Sequence, residues 1–446
     1  MMLQTKVHRI PKGTMSCDSY FAILEKSNKD VTSSEAILVK YGKEIFPTVI
    51  RNYGSSRNLS GFTVPKRIGR GLENKEIKFN LFRKNASTIK SGKRGYINLG
   101  KILPDKTIRN FPLYKFDLNR SQLLFWIYAR GNKPIILPKY ISPENIPSLL
   151  EIFGAFVCEG LKARKKNNHI DRLSFSNAEI EQIKWFIETI ESVLKINKNE
   201  WKLQILFQGD FNKFNVIKNY WSGIGVPKQN ITIVKNSKIS AKYGVCIANI
   251  YNSTLAEVFS SIMEYCNTIS LNSQDYAIRV FRGFSRGDLG VSSRTVSFDS
   301  EKKEDVSLFK NICEKLDIET SSLRFNPCKK GWWTCYITGR KNFEKILRFD
   351  GIKHYNRRKK LIKILLRNKS FSSYKYLEAV ANHANTTQKS SHLLKRSIIT
   401  TRFFLSKLKK EGYLKSSIQR NQNIYHLTAK GLHTFKFYNN LENELI

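Results

Sequence analysis

Two carboxylates, Glu159 and Asp288, occupy the same place in two imperfect copies of one short motif. Residues 152–160 read Ile-Phe-Gly-Ala-Phe-Val-Cys-Glu-Gly, and residues 281–290 read Phe-Arg-Gly-Phe-Ser-Arg-Gly-Asp-Leu-Gly. Each copy opens on a large apolar residue, places glycine third (Gly154, Gly283) and places the acid eighth. The acids lie 129 residues apart, about one small domain. Repetition at that distance predicts two similar half-domains, each delivering one acid to a shared place. Two carboxylates at such an interface can hold a divalent cation such as Mg²⁺ or Mn²⁺. A metal ion neutralises phosphate charge, activates water and eases departure of the 3′ oxygen, so phosphodiester hydrolysis is the chemistry these residues suit. Lys242 and Lys330 precede similar strands at nearly equal offsets and supply candidate cations for it.

The charge of the chain points to a polyanionic partner. It carries 77 Lys plus Arg against 36 Asp plus Glu, a formal +41, which is an electrostatic footprint for nucleic acid. Residues 1–140 hold 27 basic and 9 acidic side chains, and residues 355–446 hold 19 and 4, which leaves +8 for the middle. The flanks therefore read as grips, and the nearly balanced middle as the part that does chemistry. A length of 446 residues predicts two to four domains. At 41% hydrophobic and 12% aromatic, the composition excludes general disorder. The best apolar run, residues 123–129, stops at Arg130, far short of a membrane span. The beginning of the chain, with Lys6, His8, Arg9 and Lys12, lacks the apolar centre of a signal peptide. Seven cysteines without a Cys-x-x-Cys pair fit reduced thiols and an intracellular protein of the cytoplasm or nucleoid. Cys328 and Cys335 have no third or fourth ligand near them and read as strand residues.

The elements that must position the acids follow from apolar periodicity. Residues 1–140 read as basic and β-rich with a helical lead over residues 34–46 that Pro47 interrupts. Short alternating runs at 77–82, 96–102, 113–118, 123–128 and 134–137 read as strands. A helix fits residues 148–160, apolar around most of its circumference and so buried. A strand at 172–176, an amphipathic helix at 178–194, a strand at 201–207, a helix at 211–221, strands at 230–234 and 243–250, and a helix at 254–265 follow. The second half replays that order: helix 275–287, strand 296–298, helix 303–316, strands 322–325 and 332–337, helix 341–347. The strand at 243–252 best matches that at 331–340. Residues 355–446 change character, with three helices around 361–366, 376–381 and 398–411, Gly412 as the natural cap of the third, strands at 414–419 and 424–427 joined by residues 420–423, and a last helix from Thr428.

The paired motifs resemble the LAGLIDADG (DOD-type) homing endonucleases in their single-chain form with both repeats, over about residues 145–355. The C-terminal order resembles a winged helix-turn-helix domain. The resemblance implies an α+β fold of two pseudo-symmetric αββαββα half-domains: residues 141–270 as repeat 1 and 271–354 as repeat 2. Residues 1–140 would be a basic DNA-contacting region, and 355–446 a winged helix. It further implies that the motif helices pack side by side on Gly154, Gly160, Gly283 and Gly287. Glu159 and Asp288 would hold Mg²⁺ or Mn²⁺ over the scissile phosphates, with Lys242 and Lys330 assisting. Arg402, Lys407, Lys409, Lys410 and Arg420 would grip the duplex. The chain so read is a monomeric, site-specific double-strand DNA endonuclease with a long target site, of the kind linked to intron homing, and has no membrane partner. Leu289 departs from the pattern where a terminal glycine is expected, and Val157 and Arg286 stand where an acid is common. Two rival readings stay open: a non-catalytic LAGLIDADG and helix-turn-helix transcription regulator, and an intron RNA maturase.

Overall fold

The structure, a computed structural model, describes residues 2–10, 19–24, 36–52, 60–73, 75–83, 92–107, 111–127, 133–160, 171–209, 211–236, 238–327, 331–367, 373–419 and 421–445. The chain is mixed α+β and divides into two compact units, Met1–Ile269 and Ser270–Ile446.

The first unit begins with strands β1 (Met2–Ile10), β2 (Ser19–Leu24), β3 (Ala36–Tyr41), β4 (Glu44–Asn52) and β5 (Ser60–Val64), a helical turn α1 (Lys66–Gly69) and β6 (Glu76–Arg83). They close into a barrel of order β1-β2-β5-β4-β3-β6. Among the described residues no helix leads this region: residues 36–52 form a hairpin instead. Its two-residue loop places Gly42 at φ +56° in the first central position, where a II′ turn needs a residue tolerant of positive φ. The apolar run 36–39 that reads as helical is a strand buried on both faces. Ile37 and Val39 join Ala22, Ile50, Phe62 and Phe79 inside the barrel, while Ala36 and Leu38 pack outward on Phe116, Leu124 and Trp126. Pro47 is tolerated in β4 because β5 pairs with β4 only at residues 50–52, leaving its missing N–H on an unpaired side.

The outward face meets a three-stranded sheet of order β10-β9-β8, from β8 (Leu113–Asp117), β9 (Gln122–Ile127) and β10 (Ile135–Pro138). Before it come β7 (Ile97–Asn98) and a helical turn α2 (Leu99–Ile102), and after it β11 (Tyr140–Ile141), which pairs with β7. Residues 96–102 are thus only partly strand: the Asn98 carboxamide accepts from Lys101 N at 3.3 Å and caps α2. Lys115 is buried, and its ammonium donates to the carbonyls of Gly100 and Leu103 and to Asp105, closing the other end of that turn.

Then follow α3 (Ile146–Glu159), β12 (Leu173–Asn177), α4 (Ile180–Leu194), β13 (Lys202–Phe207), α5 (Phe214–Ser222), β14 (Ile231–Lys235), β15 (Val245–Ile250) and α6 (Ser253–Ile269). Their sheet has the order β12-β15-β13-β14, with β13 and β14 parallel. Phe186 of α4 stacks on Phe175 of β12, centroids 4.1 Å apart, and meets Trp201 edge-on.

The second unit opens with α7 (Gln274–Arg286), β16 (Gly290–Val291), β17 (Val296–Ser300), α8 (Lys303–Lys315), β18 (Arg324–Asn326), β19 (Trp332–Ile337) and α9 (Arg340–Arg348). Its sheet order is β16-β17-β19-β18. The first sheet repeats that order once β14 is set aside. Gly160, bridged to Phe175, takes the place of β16, and β12, β15 and β13 take those of β17, β19 and β18. The insertion of α5 and β14 is where the first set leaves the αββαββα order. Phe281 and Phe284 of α7, Phe298 of β17 and Phe309 of α8 pack as one aromatic group. Each such fully buried ring contributes about 1.5–3 kcal/mol of transfer free energy.

The chain ends with α10 (Tyr355–Leu366), α11 (Ser373–Ala381), α12 (Thr387–Leu394), α13 (Ile398–Lys410), β20 (Leu414–Gln419), β21 (Gln422–Leu427) and α14 (Ala429–Asn443). Helix α12 has no counterpart in the apolar periodicity, because Thr-Gln-Lys-Ser-Ser-His is polar all round; its visible signal is the Thr386 hydroxyl accepting from Lys389 N. Tyr376, Leu377, Leu405, Leu408, Leu414 and Tyr425 form the core that joins α11, α13 and the two strands. Gln419 pairs with Gln422, so the strands meet over residues 420–421, a shorter connection than residues 420–423.

Candidate metal and nucleic-acid site

Helix α3 carries Glu159 as its last residue. Ile146, Leu149, Leu150, Ile152, Phe153, Gly154, Ala155 and Val157 are buried, with Glu151 among them, so mostly apolar burial on most sides holds the helix. At its end, Gly160 turns to extended backbone (φ −77°, ψ 147°) and bridges to Phe175 of β12. A Cβ at Gly160 would lie 2.3 Å from the Phe156 ring, itself held edge-on by Phe259, so glycine is needed for that close approach. Glu159 is half-buried, and the Ser176 hydroxyl lies 3.4 Å from both its Oε2 and its carbonyl oxygen.

Helix α7 is capped by Ser273, whose hydroxyl accepts from Tyr276 N, and buries Ala277, Val280, Phe281, Gly283, Phe284 and Ser285. It closes at Arg286, so Asp288 falls just beyond the helix, whereas Glu159 ends one. Gly287 is buried at the cap (φ −91°, ψ −119°), and Leu289 N donates back to Phe284 O at 3.3 Å. Leu289 is fully buried and Asp288 is exposed. The leucine that departs from the expected glycine thus anchors the turn in the core and leaves the acid facing water. Arg357 of α10 closes the same helix end: its Nη1 donates to Ser285 O at 3.1 Å and to Gly287 O. Lys353 N donates to Ser285 Oγ at 2.9 Å. Arg357 sits in an Arg-Arg-Lys-Lys run where nothing in the sequence distinguishes it from its neighbours.

Lys242 is exposed in the turn before β15, with its ammonium 5.0 Å from the Tyr243 ring; that ring stacks on Tyr220. Lys330 and Arg420 lie outside the described residues. Arg402, Lys407, Lys409 and Lys410 are all exposed on α13, and Lys407 reaches Glu411 at 4.0 Å. At the two sheets, Arg172 lies 5.6 Å from the Tyr251 ring and Asp299 accepts from Thr334 Oγ1 at 2.5 Å.

A carboxylate at the carboxyl end of a helix meets the negative end of the macrodipole and costs about 0.3–1 kcal/mol where nothing compensates. Glu159 and Asp288 both stand there, so helix stability does not account for them. Hard oxygen donors suit Mg²⁺ or Mn²⁺, which keeps several waters and needs few protein ligands. Among the described residues no group of three or more His, Cys, Asp and Glu gathers into a cage. The described cysteines are free thiols, and burial pushes those of Cys246 and Cys313 well up, away from thiolate chemistry. No described helix is long and apolar enough to cross a membrane.

No family profile matches the chain, and no curated protein matches it. Similar solved structures include I-DmoI in complex with DNA and Mn, at TM-score 0.32 and 11% identity over 47% of this chain and 99% of that one. The N-terminal LAGLIDADG domain of DUF199/WhiA scores 0.28 at 11% identity, over 47% of this chain and 84% of that domain. Full-length DUF199/WhiA from Thermatoga maritima scores 0.29 at 10% identity, over 60% and 91%. TM-scores this low carry no argument about activity, which rests on the residues themselves.

Proposed function

We propose that the chain is a site-specific double-strand DNA endonuclease of the LAGLIDADG type, acting as a monomer on a long duplex site. The observation that supports it is a repeated one. A glycine-bearing helix with a buried face is followed by a carboxylate, at its last residue (Glu159) or two residues past its end (Asp288), in each of two sets of elements whose sheets match in strand order once β14 is set aside. In this reading the two sets are pseudo-symmetric repeats, residues 141–270 and 271–354. Glu159 and Asp288 hold Mg²⁺ or Mn²⁺, which when bound supplies charge neutralisation at the phosphate and an activated water. Ser176 orients the Glu159 carboxylate, and Arg357 fixes the backbone on which Asp288 stands. Lys242 and Lys330 are the cations available to the scissile phosphates. Residues 1–140 and a winged helix over 355–446 hold the duplex through phosphate contacts.

One observation favours the rival reading, a DNA-binding regulator that does not cut: Asp288 lies beyond its helix, on a turn anchored by Leu289, unlike Glu159. Incubating the protein with a library of duplexes in Mg²⁺ and in EDTA separates the two. Cleavage of particular sequences in Mg²⁺ alone is the expected outcome. Specific binding with no sequence ever cut would give the regulator reading the field.

A further inference from the structure

Ile399 and Ile418, 81% and 79% exposed, are the two most exposed large apolar side chains among the described residues, and Phe403 is 63% exposed. Ile399 and Phe403 are four residues apart and so lie on one face of α13. The opposite face, Thr401, Leu405 and Leu408, is buried in the core with Tyr376 and Tyr425. A helix that only packed against its own domain would turn polar residues outward. Here the outward face changes along its length: Ile399, Arg402 and Phe403 in the first half, then Ser406, Lys407 and Lys410. Lys395 and Arg396 precede the helix, and residues 355–446 carry +15 overall.

The occupant of such a face must be a polyanion that also offers apolar groups in a recess wide enough for a helix. The major groove of duplex DNA offers both: flanking phosphates, and the C5-methyl of each thymine on the base edge. The approach to α13 fits that occupant. Helix α12 ends at Lys395 in the left-handed region (φ 51°), and after a short turn α13 starts at a Ser397 cap. A helix-turn-helix pair presents the N-terminal residues of its second helix to the bases.

We propose that Ile399 and Phe403 read thymine methyl groups in the major groove, with Arg402, Lys407, Lys409 and Lys410 on the neighbouring phosphates. This makes the C-terminal region select thymine-bearing steps. It rests on the DNA-binding reading above and not on cleavage.

The test uses the full chain in EDTA, a random-sequence duplex pool, and the sequences recovered from that pool remade with deoxyuridine in place of thymidine. Uracil pairs alike and lacks only the methyl. Removing one methyl from the interface weakens binding roughly four-fold, and removing two on the order of ten-fold. The expected result is that weakening for the wild type, and no thymine–uracil difference for an Ile399→Ser, Phe403→Ser double variant, whose affinity for the thymidine duplex falls to about that of the wild type for the deoxyuridine duplex. Both sites are exposed, so the variant spares the core. Equal binding of the two duplex forms by the wild type overturns the proposal, as does a variant that keeps the difference. Concentration-dependent self-association that the variant abolishes, with DNA binding untouched, assigns the face to a second copy instead. A chain that binds no duplex sinks the DNA reading as well; one that binds and ignores the methyl sinks this proposal alone.

Discussion

At the scale of single residues, the motif acids are defined by what they cost. Glu159 and Asp288 sit at the negative ends of α3 and α7, and one sits where the helix still holds it while the other has left it. The difference traces to one position. Gly160 continues into extended backbone toward β12, whereas Leu289 folds back to Phe284 O and takes its side chain into the core. Replacing Glu159 by Gln, or Asp288 by Asn, removes a charge and spares the shape. Each single substitution is expected to slow Mg²⁺-dependent cleavage by at least 100-fold, about 2.7 kcal/mol of barrier, while leaving duplex affinity within a factor of two or so. Rates of strand cutting and a binding isotherm in EDTA, measured on the same duplex, check this. Wild-type cutting of both strands by the Asp288→Asn protein would move the second ligand to another residue.

At the scale of elements, most of the two motif-bearing sets is legible because most of their helices carry one apolar stripe and most of their strands one buried face, with α3, buried nearly all round, and β18, exposed throughout, as exceptions. Residues 180–194, 202–207, 303–315 and 332–337 fall within two residues of the periodic pattern. The pairing of residues 243–252 with 331–340 lands on β15 and β19, which hold the same place in their sheets. Legibility fails where burial comes from long-range neighbours. Residues 36–39 look helical in sequence because the barrel covers one face of the strand and a separate sheet the other. Closure of the barrel has no local signal: β1-β2, β3-β4 and β4-β5 join neighbours in the chain, but β2-β5, β3-β6 and β1-β6 are pairings between strands far apart in it. Of the site, the acids are legible from their repeat, whereas Ser176 and Arg357 are not, being common residue types placed by the fold. His354 belongs to that hidden class. Its Nδ1 accepts from Arg357 N at the cap of α10, and burial first, then the Arg357 charge, lowers its pKa to about 4. Its unfolded value is near 6.5, so between these values the unfolded chain binds the proton that the folded chain refuses. The stability tied to neutral His354 is therefore complete above pH 6.5 and is lost as pH falls through 4. Urea midpoints of the wild type are expected to fall across that window. A His354→Asn protein, which keeps a cap acceptor without the titration, should show a flatter profile there. Parallel profiles would mean that other groups set the acid limb.

At the scale of the whole chain, charge is divided by task. A strongly basic surface beside a metal site would compete with the cation for its own carboxylates, and the segment that bears the acids is held to +8 while the flanks carry +18 and +15. In the proposed reading the flanks act through phosphates: each neutralised phosphate releases condensed counterions, so the number of neutralised phosphates is readable as the slope of log affinity against log salt. Arg357 ties α10 to the end of α7, which makes deletion of residues 355–446 a poor probe of the C-terminal grip, because it would also disturb the seat of Asp288. Charge substitution on α13 avoids that. Lys407, Lys409 and Lys410 are exposed and lie in its last turns, away from the buried Leu405 and Leu408. Changing all three to Gln in the full chain is expected to lower the salt slope by roughly one unit for each phosphate no longer neutralised, and so by up to about three. Affinity should fall most at low salt, where counterion release is worth most. Cleavage at low salt should persist, since the acids are untouched. An unchanged affinity and slope would mean that α13 faces something other than the duplex backbone, and the basic C-terminal surface would then have to serve a different acidic partner.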